Sequence, residues 1–323
     1  MSLPVRRAVI DIGTNSVKLL VADVVGNDVR PIFEDSRQTR LGKGFYESNH
    51  LQPEAVKQTA EAVAEFAEEA KGRHVKSLQV IATSAARDAK NPGDLISAVE
   101  AASGLKIEII SGEQEADWAF QGVTSDPQLA KQHLLLLDVG GGSTEFILGQ
   151  GEHKHFRHSF PLGTVRLFEK FPVSDPPTAT EFAVCRKWLG AFLDKEVNPH
   201  LEPAMTREAK RRPAGEVVLV GTGGTTTILA RIEGAMEDFD RARIESTRLT
   251  LARVRWQRER LWKLPLAERK KIVGLPPKRA DVILQGVLIY EAVMEAFGFV
   301  EVRVSTRGLR FAAMMAGSAG GPP

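Results

Sequence analysis

Residues 8–24 read AVIDIGTNSVKLLVADV, and residues 134–149 read LLLLDVGGGSTEFILG. Each is an apolar run, an aspartate, a glycine-containing turn with a serine, and a second apolar run. Asp11 aligns with Asp138, Gly13 with Gly140, Ser16 with Ser143 and Lys18 with Glu145, all at one constant offset. A shared offset over four positions argues for internal duplication. Aliphatic and β-branched runs flanking a Gly, Ser and Thr turn are the signature of a β-hairpin. A phosphate-sized turn therefore opens each of two similar halves.

Working outward, Val56, Ala60, Val63, Ala67 and Ala70 recur at helical spacing and predict an amphipathic helix over 53–71. LQVIATSAARDAKNP predicts a strand, a turn at Thr83 and Ser84, and a short helix stopping near Pro92. LKIEIISGEQEADWAFQGV predicts a strand and then a helix, with Ser111 and Gln114 in capping-box spacing, which puts Glu113 and Glu115 in its first turn. Beyond the second echo, Thr178 and Glu181 form another such box ahead of a helix around Val184 to Phe192. VVLVGTGGTTTILA predicts a strand and a third glycine turn, DVILQGVLIYEAVMEAFG a buried helix, and VEVRVSTRGLRFAAMMA a last strand, turn and helix. Strands alternate with helices throughout, so the class is α/β. The expected division is a lobe over 1–130, a second over 131–316, and a disordered tail, GSAGGPP, at 317–323.

The 323 residues carry a formal charge of +2, too little for a dedicated nucleic-acid binder, and aromatic residues for base stacking make up only 7%. The charge is uneven: 241–280 holds 13 Lys or Arg against Glu245, Glu259 and Glu268. This stretch reads either as solvated helix faces or as an electrostatic track for a polyanion. Cys185, the sole cysteine, excludes an internal disulfide and fits a reducing, cytoplasmic setting; in FAVCRKWL it reads as a small core residue. No stretch approaches the roughly 20 apolar residues of a membrane span. His153, His155 and His158 in HKHFRH read as part of a surface strand pair rather than a metal site.

Glycines let a backbone come close to phosphate, and successive N–H groups with Ser and Thr hydroxyls make an anion cradle. Gly13, Thr14, Asn15 and Ser16 form one such turn; Gly140, Gly141, Gly142, Ser143 and Thr144 a second; Thr222, Gly223, Gly224 and Thr225 a third. None matches a P-loop or dinucleotide fingerprint. Carboxylates beside a phosphate site repel the substrate unless a cation intervenes. Asp138 and Glu145 are thus candidate ligands for Mg²⁺, or Mn²⁺, directly or through water, and Asp11 is the symmetric candidate. Arg87, four residues after Thr83, is placed to neutralise a terminal phosphate. Phosphoanhydride hydrolysis needs a water oriented in line and relieved of its proton; Glu115 is the candidate base, with Glu113 an equal competitor on the residues alone.

In order, DIGTNSVKLLV, ATSAARDAKN, ISGEQEADWAFQGV, LLDVGGGSTEF, VGTGGTTT and STRGLR resemble the exopolyphosphatase/guanosine-pentaphosphatase (Ppx/GppA) family over residues 8 to about 312. The resemblance implies an actin-like, duplicated ribonuclease-H-like fold, shared with sugar kinases and Hsp70, with an active site in the cleft between its lobes. It implies magnesium-dependent removal of terminal phosphate from inorganic polyphosphate or guanosine pentaphosphate (pppGpp), and a homodimer. It selects Glu115 over Glu113 as catalytic glutamate, matches Asp138 and Glu145 to metal carboxylates, and matches Arg87 to the family's arginine. The chain departs where Arg310 is followed by Phe311 and Ala312 rather than an acidic residue and glycine, and it resembles the short form without extra C-terminal helical domains. Two other functions compete: a sugar kinase of the same fold, for which no sugar pocket is legible, and a non-catalytic binder of polyphosphate or the alarmone guanosine tetraphosphate. The intact Glu115, Asp138 and Glu145 count against the binder.

Overall fold

The computed structural model describes residues 3–211 and 217–316. The expected tail at 317–323 lies outside the described residues. The chain divides into two compact units, one running to Ser125 and resuming at Gly308, the other spanning Asp126–Arg307.

The first unit is built on β1 (Val5–Ile12), β2 (Val17–Val25), β3 (Asp28–Arg37), β4 (Ser77–Ala82) and β5 (Ile107–Ile109). Their order is β3-β2-β1-β4-β5: two antiparallel hairpins, then two parallel strands. Period-two alternation splits β1 between two cores. Ala8, Ile10 and Ile12 pack with Val56, Ala60, Val63, Phe66 and Ala67 of helix Pro53–Gly72, as its spacing predicts. Val9 faces the other way, with Leu20, Ala22, Phe311 and Met314. The short helix Ser84–Asp88 stops ahead of Pro92, as expected, and Pro92 itself begins a further helix, Pro92–Ser103. At the first helical position its missing N–H has no intrahelical acceptor anyway, and its fixed φ suits the helix.

The last helix, Leu309–Ala316, belongs to the first unit and not, as the sequence division had it, to the second. Burying Phe311 and Met314 on the β1–β2 face contributes about 1.5–3 kcal/mol each. Arg310 donates to the Leu19 carbonyl at 3.1 Å and pairs with Glu34 at 3.4 Å, and Arg7 donates to the Met314 carbonyl at 2.6 Å. Gly122 makes room for this return: a Cβ there would lie 2.1 Å from the Gly308 carbonyl oxygen. The apolar Phe311 and Ala312, which depart from the family pattern, are both buried.

The second unit repeats the plan with β6 (Leu134–Val139), β7 (Thr144–Gln150), β8 (His153–Phe160), β9 (Val218–Thr222), β10 (Arg248–Thr250) and β11 (Glu301–Val304). The order β8-β7-β6-β9-β11 mirrors that of the first unit, and β10 is an added antiparallel edge strand. The duplication is therefore one of topology as well as of sequence. Helix Ile283–Ala296 is buried nearly all round, as its apolar sequence predicts. Cys185, in helix Ala179–Phe192, is fully buried, and burial pushes its thiol up to about 11. It is a core residue.

Most basic residues of the 241–280 stretch are exposed, and several of its arginines pair with glutamates. Arg253 pairs with Glu233, Arg241 with Glu245, Arg255 with Glu295, and Arg269 is 3% exposed. Arg258 grips Glu291 with two bonds, at 2.7 and 2.9 Å. Arg186 also reaches Glu295, so helices Ala179–Phe192, Leu251–Lys263 and Ile283–Ala296 share one ionic network. Glu291 is only 1% exposed. Arg258→Ala strands this buried carboxylate and is expected to cost about 3–5 kcal/mol in urea unfolding. Pairing Arg258→Met with Glu291→Leu should recover most of that loss.

Candidate phosphate and metal sites

In the first unit, β1 and β2 meet at a turn closed by the Gly13 N–H on the Ser16 carbonyl at 3.0 Å. Asp11, Thr14, Asn15 and Ser16 are all buried. The Thr14 and Asn15 carbonyls accept from the N–H groups of Gly42 and Arg40. Carbonyl and following N–H are antiparallel in a trans peptide, so the N–H groups of Asn15 and Ser16 face the opposite way. Asp11 Oδ1 and Asn15 Nδ2 are buried and meet no hydrogen-bond partner among the described residues. Gln38, absent from the sequence reading, donates to Asn15 Oδ1 at 3.3 Å.

The Thr83 N–H donates to the Ile12 carbonyl, which sets the start of helix Ser84–Asp88 beside this turn. Arg87 on that helix donates through one Nη to the Ile110 carbonyl at 3.2 Å and to Glu115 Oε2 at 2.8 Å. Glu115 rides the first turn of helix Gly112–Thr124, whose Ser111 cap accepts from the Gln114 N–H. Glu115 is 7% exposed, whereas Glu113 faces solvent. Burial and an arginine partner separate two glutamates that the local sequence leaves equivalent. Thr83, Arg87, Glu115 and the first turn thus form one neighbourhood.

In the second unit the Gly140 N–H closes on the Ser143 carbonyl at 3.0 Å, the same turn again. The carbonyls of Gly140 and Gly141 accept from the N–H groups of Thr164 and Val165, and Arg166 Nε donates to the Gly142 carbonyl at 2.8 Å. With three carbonyls held on one side, the N–H groups of Gly141, Gly142 and Ser143 line the other, an anion cradle. Gly163 permits this contact, since a Cβ there would lie 2.3 Å from the Gly141 oxygen. The Thr144 hydroxyl donates to the Leu162 carbonyl and so serves the turn's framework.

The third glycine turn is in fact the start of a helix, Gly223–Glu233, with Thr222 as its N-cap residue. Its first N–H groups suit an anion. The Thr222 hydroxyl lies on the Ser305 and Arg307 carbonyls at 3.1 and 2.9 Å, and Thr225 is buried against Gly286. The guanidinium of Arg279 crowds Gly224, where a Cβ would lie 2.7 Å from its Nη2. The Tyr290 hydroxyl meets the Leu137 and Thr222 carbonyls at 3.1 and 3.3 Å, and burial pushes it far above its ordinary range, so it stays a neutral donor. Arg166, Arg279 and Tyr290 are missed by sequence reasoning, because each reaches its turn from a distant segment.

Asp138 pairs in register with Glu145 across β6 and β7. Two carboxylates directly opposed on one face favour positive charge nearby. Their donors are hard oxygens, and Mg²⁺ commonly takes one or two carboxylates with water and phosphate completing its shell. Among the described residues no group of three or more His, Cys, Asp or Glu gathers as a metal site. In the first unit the residue in register with Asp11 is Lys18 rather than a second carboxylate. His158 on β8 stacks on His200, and His155 lies 3.9 Å from the buried Glu208; all three histidines of this strand are exposed, as expected of a surface strand.

Duplicated ribonuclease-H-like units, each opening on a glycine–serine turn, define an actin-like two-domain fold. The Ppx/GppA phosphatase family profile matches residues 20–315. Exopolyphosphatase 2 of Mycobacterium tuberculosis is 33% identical over 297 residues, covering 88% of this chain and 89% of its own. Among solved structures, the Ppx/GppA enzyme of Aquifex aeolicus is 30% identical with a TM-score of 0.75, covering 97% of this chain and 100% of that one. An exopolyphosphatase from Cytophaga hutchinsonii is 26% identical with a TM-score of 0.83, covering 96% of both chains. The chain belongs to the Ppx/GppA phosphatase family and is a hydrolase. No helix among the described residues is long and apolar enough to cross a membrane.

The helix start on β9 supplies a direct check. Gly223 has φ +86°, and a Cβ on it would lie 2.5 Å from Asp138 Oδ1. Gly223→Ala is expected to cost about 1–3 kcal/mol in thermal unfolding through backbone strain. Displacing Asp138 should also cut phosphate release about 100-fold.

Proposed function

We propose that this chain removes the terminal phosphate of inorganic polyphosphate, with Glu115 as general base. The observation that carries the reading is the buried Glu115 carboxylate, held by Arg87 at 2.8 Å in the neighbourhood of the first glycine turn. Support comes from the relatives in Mycobacterium tuberculosis and Cytophaga hutchinsonii, which carry the name exopolyphosphatase.

The N–H groups of the glycine turns and the start of helix Gly223–Glu233 bind phosphate oxygens. Arg87 orients Glu115 and brings positive charge to the terminal phosphate. Glu115 takes a proton from a water that attacks the terminal phosphorus. The bond between that phosphorus and the bridging oxygen breaks, and the shortened chain leaves with the oxygen. Asp138 and Glu145 would hold Mg²⁺ or Mn²⁺, which would neutralise charge on the phosphate oxygens. We assign the protein to the cytoplasm, which suits its unpaired Cys185.

Phosphate release from long-chain polyphosphate, short-chain polyphosphate and guanosine pentaphosphate, with Mg²⁺, tests this reading. The native protein should be most active on polyphosphate, and Glu115→Gln should lose about 10²–10⁴-fold while keeping its melting temperature. A folded Glu115→Gln variant with native activity overturns the mechanism. Exclusive activity on guanosine pentaphosphate overturns the substrate.

A further inference from the structure

The register of the second sheet sets four polar residues in one row across four strands: Ser159 on β8, Glu145 on β7, Asp138 on β6 and Thr222 on β9. Residues paired in register share a face of the sheet. Around them the strands are aliphatic and aromatic: Leu135, Leu137, Phe146 and Leu148 are fully buried. The row in the first unit reads Ser36, Lys18, Asp11 and Ile81. Both rows carry a serine beyond the second strand, and only in the second unit does that serine face a carboxylate.

There the Ser159 Oγ donates to Glu145 Oε1 at 2.7 Å, a charge-assisted bond to a side chain that is 1% exposed. A glutamate has three side-chain torsions to settle before its oxygens are placed. A short bond from the neighbouring strand, itself fixed by the ladder, removes much of that freedom on the side away from Asp138. We propose that Ser159 is a positioning residue that presents Glu145 for divalent-cation binding opposite Asp138. This rests on the reading of Asp138 and Glu145 as the cation's carboxylates. Ser159 acts through Glu145 and takes no part in the chemical step.

The test is binding of Mn²⁺ alone to the full chain, with free ion followed by its electron paramagnetic resonance signal. It compares native protein, Glu145→Gln, Asp138→Asn, Ser159→Ala, and the isosteric pair Ser159→Thr and Ser159→Val, each checked by thermal melting. Ser159→Ala should weaken Mn²⁺ binding about 10–100-fold, the range typical of residues that orient a metal ligand. Ser159→Thr, which keeps the hydroxyl, should bind nearly as the native protein does, and Ser159→Val should behave as Ser159→Ala. Should the alanine variant fail to fold, the Thr and Val pair isolates the hydroxyl. In phosphate release, the half-saturating Mg²⁺ concentration should rise while kcat at saturating Mg²⁺ is retained, a split that general loosening of the fold does not produce. Native-like Mn²⁺ affinity in Ser159→Ala and Ser159→Val, with Glu145→Gln impaired, overturns the role of Ser159 and leaves the carboxylate pair standing. Native-like affinity in Glu145→Gln and Asp138→Asn overturns the pair itself, and the proposal with it.

Discussion

One short bond, made twice, sets the terms for the rest of the molecule: the glycine N–H donating to the serine carbonyl three residues on, Gly13 to Ser16 and Gly140 to Ser143. It closes a turn too tight for side chains to fill, at the end of a strand at the centre of each sheet. A strand pair joined this way has its register fixed, and a one-residue slip would turn every core side chain outward. The same register decides which residues stand beside the turn. In one unit it opposes Asp11 with Lys18, in the other Asp138 with Glu145.

Equivalent backbones have therefore diverged in charge. In register, Asp11 stands opposite a lysine, whereas Asp138 stands opposite a second carboxylate, Glu145. The surroundings diverge accordingly. Arg166, Tyr290 and Arg279 close on the turns of the second unit, and Arg87 with Glu115 flanks that of the first. A duplication of this kind supplies two phosphate-sized turns and then lets each acquire its own chemistry.

The basic stretch shows how charge clustered in sequence is partly paired through space. Arg253, Arg255 and Arg258 look like an exposed polycation in sequence, yet their partners Glu233, Glu291 and Glu295 lie on helices distant in the chain. Glu291 is buried in a largely apolar helix, where a bidentate arginine makes a carboxylate tolerable. The final helix follows the same rule. Phe311 and Met314 are placed by the apolar face they cover, so chain order assigns Leu309–Ala316 to the wrong unit.

Much was legible in the linear sequence because it is local or periodic: the two echoed hairpins, the helix at 53–71 with its alanine and valine spacing, the Ser111 and Thr178 caps, and the buried apolar helix at 283–296. The glycine turns belong here too, since few other residues allow so close an approach. The sequence by itself thus determined the duplicated α/β plan and where its phosphate-sized turns fall. Only tertiary structure supplied the physical surroundings that distinguish these acidic groups. Glu113 and Glu115 differ by two positions on one helix, and the difference between them is the Arg87 guanidinium arriving from another segment. Ser159 is an ordinary strand serine until the ladder lays it against Glu145. Charge and hydrogen bonding act through space over a few ångströms, and proximity of that kind is created by packing, not by order along the chain.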